Sequence, residues 1–219
     1  MSVVVLEKKI HRILEEIKKN TPVIVYRNFF SKNNCKKIVS ICHNNYSLDY
    51  NRKKNASKYF NFTSLDVLNS NVKSKRIFRT FELSKYFINK FDEINNLLNF
   101  QKKILRLKKN KKIFHKVQVI HYPKGGGFFE KHRHSRYPTN YGFIITLSEK
   151  NKDFKKGGTN FVYKKKNISL EKFDVNRGDL ILFRYDLPHS ISKCDPNEDL
   201  KFDMKGRWTM ILPVYHEKF

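Results

Sequence analysis

Three histidines in this sequence, His132, His134 and His189, are candidate ligands for one transition-metal ion. The first two flank Arg133. On an extended strand, residues two apart project to the same face, so both imidazoles can converge on one ion. Gly125-Gly126-Gly127 precede the pair and let the backbone turn sharply into that strand. The third histidine follows a different pattern. Asn176-Arg177-Gly178-Asp179 reads as a tight turn, Leu180–Phe183 as an apolar strand, and His189 opens the strand after it. Enough chain separates His134 from His189 for several strands to bring the third imidazole back across a barrel. Glu130 shares the face of His132 and His134 and is an alternative ligand.

A second group lies in Gly206-Arg207-Trp208-Thr209. Arg207 and Thr209 share one strand face, and a guanidinium fork beside a hydroxyl is a receptor for a carboxylate. Arg184 and Asp186, just before His189, either line a pocket mouth or pair with each other. Gln118 and Tyr122, four residues apart, share another strand face, where Gln118 either lines a pocket or is satisfied locally. His115, His121 and His216 have no comparable setting and read as structural or surface residues.

The elements that must position these groups are strands. From residue 116 onward, short apolar runs alternate with Gly, Pro, Asn and Asp. They are Val117–Tyr122, Phe128–His132, Tyr141–Leu147, Thr159–Tyr163, Leu180–Phe183, Ser190–Lys193 and Trp208–Tyr215. Seven short strands with turn signals between them indicate a sandwich or barrel. Upstream, apolar positions Val5, Ile10, Ile13, Leu14 and Ile17 predict a helix over 4–19. Thr21-Pro22 ends it, Val23–Tyr26 reads as a strand, and Ser31 caps a helix running through Ile41. Residues 43–75 are polar and irregular, a loop or lid, and residues 81–109 return to helical spacing. The expectation is one α+β, mainly β, domain over 1–219, with helical support and lid in 1–115 and the β core in 116–219.

Composition sets the outer limits. At 39% hydrophobic and 14% aromatic the chain is too apolar for disorder. The net charge of +26 points to an anionic partner, such as nucleic acid, a phosphorylated metabolite, a carrier protein or an acidic membrane surface. Compositional drift is the competing explanation, because the Lys residues are spread along the chain and Asn is abundant. The densest run, Lys102–Lys112, reads as a solvated helix end. Cys35, Cys42 and Cys194 are odd in number and lack CxxC spacing, as expected of reduced thiols. No apolar run approaches the roughly 20 residues that span a bilayer, and the N-terminus lacks a signal-peptide pattern. A cytoplasmic location is expected.

Read in order, these pieces resemble the 2-oxoglutarate/iron(II)-dependent oxygenase superfamily from about Val117 to Tyr215. His121-Tyr122-Pro123-Lys124-Gly125-Gly126 looks like the tyrosine-and-glycine approach to the first ligand. Gly157-Gly158-Thr159-Asn160-Phe161 looks like the family's double-glycine strand, and Gly178 through His189 like the strand leading to its distal histidine. Arg207-Trp208-Thr209 looks like the Arg-x-Ser/Thr pair that grips the far carboxylate of 2-oxoglutarate. The resemblance implies a double-stranded β-helix, or jelly roll, of cupin-like form with the metal in its mouth. It implies iron(II), dioxygen and 2-oxoglutarate as co-substrate, bound by Arg207 and Thr209 with Tyr122 as a hydrogen-bond partner. It also implies metal ligation by His132, His134 and His189.

One position departs from the family. His134 stands where the family's HxD or HxE carries its carboxylate. Either His134 is a ligand in a three-histidine face, or Glu130 substitutes, or the site is degenerate. A third imidazole in place of a carboxylate raises the charge of the iron(II) centre by one, to +2, which a bound 2-oxoglutarate dianion would neutralise. Halogenation is not expected, because the family's halogenases vacate this position and here it is filled. The leading expectation is hydroxylation, or related C–H oxidation, of a small anionic or carrier-bound molecule. The alternatives are a three-histidine dioxygenase that does not use 2-oxoglutarate, and a nucleic-acid-binding module on a retired barrel.

Overall fold

The computed structural model describes residues 3–7, 10–44, 64–65, 76–78, 81–105, 113–115, 117–134 and 140–216. In chain order the N-terminal half contains β1 (Val3–Glu7), α1 (Ile10–Lys18), β2 (Val23–Arg27), α2 (Lys32–Asn44), β3 (Ser64–Leu65), β4 (Arg76–Phe78), α3 (Phe81–Lys90) and α4 (Asp92–Leu105). The C-terminal half contains β5 (Ile113–His115), β6 (Gln118–Tyr122), β7 (Gly127–His132), β8 (Tyr141–Thr146), β9 (Thr159–Tyr163), β10 (Lys166–Ser169), a 3-10 turn (Leu170–Phe173), β11 (Leu180–Arg184), β12 (His189–Cys194), β13 (Arg207–Ile211) and β14 (Val214–His216). Among the described residues, no helix is long and apolar enough to cross a membrane.

Two sheets face each other. The larger has the order β1-β2-β11-β8-β13-β6-β4-β3 and the smaller β10-β9-β12-β7. All pairings are antiparallel except β1 with β2. Period-two alternation sorts the side chains of the larger sheet. Leu180 and Leu182 of β11, Phe143 and Ile145 of β8, and Trp208 and Met210 of β13 pack against the helices, through Ile13, Cys35, Ile38, Phe87, Ile94 and Leu97. Their neighbours Ile181, Phe183 and Ile144 turn inward to meet Phe161 and Ile168 of the smaller sheet. Ile120 and Tyr122 of β6 meet Ile191 and Cys194 of β12 in the same way. The helices thus cover the outer face of the larger sheet and leave the space between the sheets for the site.

Three expectations are corrected by the structure. The predicted helix over 4–19 begins only at Ile10, because Val3-Val4-Val5 joins the sheet edge beside β2. Three consecutive β-branched residues favour that pleated setting. The helix predicted over 81–109 is two helices broken at Phe91, with Asp92 and Glu93 placed to favour the start of the second. The Phe91 ring turns into the core beside Phe87, with centroids 5.7 Å apart. The strand predicted over 208–215 ends at Ile211 and restarts at Val214, where it pairs with β5. Pro213 has no N–H for a ladder, and the carbonyl of Leu212 accepts instead from Gln101 Nε2 at 2.9 Å. The helix starting after Ser31 forms as predicted, with Ser31 Oγ accepting from the Asn34 N–H at 3.1 Å. The expected lid at 43–75 lies outside the described residues, apart from His43, Asn44 and β3. The Lys102–Lys112 run likewise leaves them after Leu105.

Candidate metal centre

The smaller sheet fixes two of the three imidazoles. β7 ends at His132 and β12 begins at His189, and these two residues are directly opposite in the ladder. Their ring centroids are 4.2 Å apart. His134 lies past the end of β7, so strand pleating alone does not place it. Its backbone N–H donates to the Tyr185 carbonyl at 2.9 Å, which holds the segment against the loop before His189. Its ring reaches within 5.0 Å of His132 and 5.1 Å of His189. One ligand atom from each of the three lies within 4.8 Å of the others. Glu130 is exposed and contributes no atom to this group.

Hydrogen bonding sets which nitrogen faces the centre. His132 Nδ1 donates to the Glu130 carbonyl at 2.7 Å, and His189 Nδ1 to the Leu187 carbonyl at 2.9 Å. A carbonyl can only accept, so both rings carry the proton on Nδ1 and keep the Nε2 lone pair for a metal. His189 is buried among Phe161 and Phe183. That burial pulls its pKa down to about 4, against the Leu187 hydrogen bond and with help from the other two imidazoles. His134 is lowered by desolvation and then by His132. Desolvation therefore favours the neutral, metal-binding forms. Three imidazole nitrogens within 4.8 Å of one another suit an iron, copper, nickel or zinc ion, and three protein ligands are fewer than such ions take, which leaves positions for further ligands.

The carboxylate receptor sits deeper. β7 runs towards the end of the two-sheet core that holds the imidazoles, the mouth, and β9 runs the same way. His189 is opposite Phe161, and Ile191 is opposite Thr159. Thr159 is therefore one pleat repeat, about 7 Å, below the imidazole level. Arg207, 3% exposed, crosses from β13 and donates from Nη2 to Thr159 Oγ1. It lies opposite Tyr122 in the ladder, and its guanidinium carbon is 5.5 Å from the Tyr122 ring centroid. Burial lowers its pKa, with Tyr122 acting against that, yet a guanidinium stays charged. Burial pushes the Tyr122 phenol up to about 12, so it remains a proton donor.

Arg207 Nη1 and Thr146 Oγ1 are both buried without a hydrogen-bond partner. Arg207 and Thr146 line one cavity of about 30 Å³, together with Thr159, Ile181 and Glu171. An unpaired buried cation and an unpaired hydroxyl are costly unless an anion occupies the space between them. Thr209 is buried and shares the inward face of β13 with Arg207. Gln118 is buried on the inward face of β6, two pleats from Tyr122.

Arg184 makes a two-pronged pair with Asp186, at 3.0 and 2.7 Å, and its guanidinium carbon lies 5.9 Å from the centroid of the Tyr163 ring at the mouth end of β9. His121 is fully buried and stacked on Trp208 at 4.1 Å, with Nε2 bonded to the Lys205 carbonyl at 2.7 Å, which is a packing role. His115 and His216 lie in the β5–β14 pair, and their side chains are outside the described residues. Gly125 does serve the turn, with φ at +80° and a backbone so close to Leu200 that a Cβ would come within 2.4 Å of it. Sequence reasoning gave no role to Thr146, Thr159 or Tyr185. Thr146 is the one threonine in the apolar run Tyr141–Leu147, which by itself indicated no partner.

No protein-family model matches the sequence, and no curated protein matches it. Solved structures do. A prolyl-4-hydroxylase from Pseudomonas putida is similar over 95% of this chain and 99% of its own, with a TM-score of 0.59 and 12% identity. A 2OG-Fe(II) oxygenase family oxidoreductase from Burkholderia pseudomallei is similar over 98% and 95%, at 0.57 and 8%. A prolyl hydroxylase from Trichoplax adhaerens, solved with a hypoxia inducible factor oxygen degradation domain peptide, is similar over 95% and 89%, at 0.59 and 16%. At these identities the likeness is one of fold.

Proposed function

We propose that this chain, which shares the fold of the 2-oxoglutarate/iron(II)-dependent oxygenases, is itself such an enzyme on a jelly-roll core and hydroxylates, or otherwise oxidises, a C–H bond of a small anionic substrate. The observation that carries the reading is the pairing of two features in one interior. Three converged imidazoles stand at the mouth, and about one pleat below them lies a buried arginine with an unpartnered Nη1. His132, His134 and His189 would hold the metal through nitrogen alone. Iron(II) bound there supplies the redox chemistry, activating dioxygen with electrons released as 2-oxoglutarate becomes succinate and carbon dioxide.

The chain's own residues supply position and dryness. Arg207 Nη1, Thr146 and the protonated Tyr122 phenol would bind the far carboxylate, with Thr209 beside them. The 2-oxo acid end then lies towards the imidazoles. Phe161 and Phe183 flank His189 and keep water from that wall. The Nδ1–H groups of His132 and His189 stay engaged with the Glu130 and Leu187 carbonyls, so neither Nδ1 is free to shuttle a proton.

Charge placement favours an anionic substrate. Of the eleven carboxylates between Val117 and Leu212, only Glu130 and Asp186 lie near the mouth, and Asp186 is paired with Arg184. The others follow strand ends at the closed side of the barrel. Lys131, Arg133 and the Lys164-Lys165-Lys166 turn crowd the mouth instead. A second reading, a peptide substrate, is favoured by the exposure of His134 and by two of the similar folds being prolyl hydroxylases.

The test is anaerobic purification with iron analysis, then addition of 2-oxoglutarate. The expected result is one iron per chain, lost in His134→Ala, and a visible metal-to-ligand charge-transfer band. Iron bound without a band or succinate, with oxygen uptake unchanged in Arg207→Ala, would point instead to a three-histidine dioxygenase independent of 2-oxoglutarate.

A further inference from the structure

Arg207 has an unusual tether. Its neighbours include one acid, Glu171, whose charge reaches it through space. No carboxylate forms a salt bridge with Arg207 among the described residues. Glu171 Oε1 is taken instead by the backbone N–H groups of Gly157 and Gly158, at 3.1 and 3.0 Å. Among the described residues, the one side-chain hydrogen bond of the guanidinium is to the neutral Thr159 hydroxyl, on the opposite sheet and 1% exposed. A neutral acceptor holds the fork in place without neutralising it. A carboxylate in the same place would satisfy the charge and compete with any incoming anion.

The tether is itself anchored. At Gly158 a Cβ would lie 2.3 Å from Glu171 Cγ, so the double glycine lets the acid press against the backbone just before β9. Glu171 fixes that bend, the bend presents Thr159, and Thr159 takes Nη2. Nη1 is left facing the cavity it shares with Thr146.

We infer that Thr159 is a positioning residue for the co-substrate. It acts through Arg207, setting the affinity of the cavity for the far carboxylate of a 2-oxo dicarboxylate. This rests on the reading of that cavity given above.

The experiment titrates 2-oxoglutarate into the anaerobic iron(II) protein, following the charge-transfer band and the ligand-induced rise in Tm, and then measures succinate formation. Thr159→Val keeps shape and removes the acceptor. It should weaken 2-oxoglutarate binding about tenfold, the effect of one lost charged hydrogen bond, and raise the KM for 2-oxoglutarate in step. Iron stoichiometry and kcat at saturating 2-oxoglutarate should stay within about twofold. Thr159→Ser restores the hydroxyl and should bind within about threefold of wild type. Unchanged affinity in Thr159→Val, or Thr159→Ser as weak as Thr159→Val, overturns the inference alone. So does loss of iron in parallel with loss of 2-oxoglutarate binding. A wild-type protein that binds iron but not 2-oxoglutarate overturns the cavity reading, and the inference with it.

Discussion

The His189 imidazole is buried in the folded chain and solvated in the unfolded one. Its pKa falls from the ordinary value of 6.5 to about 4 on folding. A depressed histidine binds fewer protons in the native state than in the unfolded state between those two values. Metal-free protein should therefore lose stability as pH drops from about 6.5 towards about 4, by up to about 3 kcal/mol. Thermal unfolding of the metal-free protein at pH 7 and pH 4.5 checks this, and His189→Phe should flatten the dependence. Among individual residues, His132 and His134 stood out by their i, i+2 spacing and His189 by the turn and apolar strand that lead to it. Thr146 and Thr159 did not. A single threonine in an apolar strand says nothing until a residue from another strand is known to face it.

The strands of the core were legible as elements because each is a short apolar run bounded by turn residues. Their partners were not, since ladder order depends on crossovers that no local pattern records. The N-terminal segment misled, because helical spacing of five apolar residues outweighed three β-branched residues in a row. One element-level contact ties distant turns together. The Asp179 carboxylate, 1% exposed, accepts from the backbone N–H groups of Asn28 and Asn176, at 3.0 and 2.9 Å, and from Arg27 Nη1 at 2.6 Å. Asp179→Ala leaves the Asn28 and Asn176 N–H groups without their acceptor and Arg27 without its counter-charge, with only the Asp174 and Phe173 carbonyls remaining to it, and should cost about 3 kcal/mol in denaturant unfolding. Because this lock is at the closed end, iron stoichiometry in the surviving folded protein should not change.

Across the whole molecule, the two ends of the two-sheet core are held by different forces. At the closed end, Arg177 pairs with Asp153 and donates to the Leu147 carbonyl at 3.0 Å. There too, Asp195 accepts from the N–H groups of Lys155 and Lys156, at 2.9 and 2.7 Å. At the mouth, the metal of the proposed reading would tie three clustered imidazoles together. Chelation of the metal should therefore loosen the protein unevenly. Amide hydrogen exchange should speed up at 129–134 and 185–191 and stay slow at 155–159 and 176–181. Uniform acceleration would contradict this division of labour.

The position of His134 just beyond the last rung of the β7–β12 ladder has a consequence for how such a barrel can diverge. A side chain there can be exchanged without disturbing the pairing of His132 with His189 or the arginine seat below. On the proposed reading, one of the three metal donors thus sits outside the ladder, where a single codon change would retune the centre and leave the scaffold as it was.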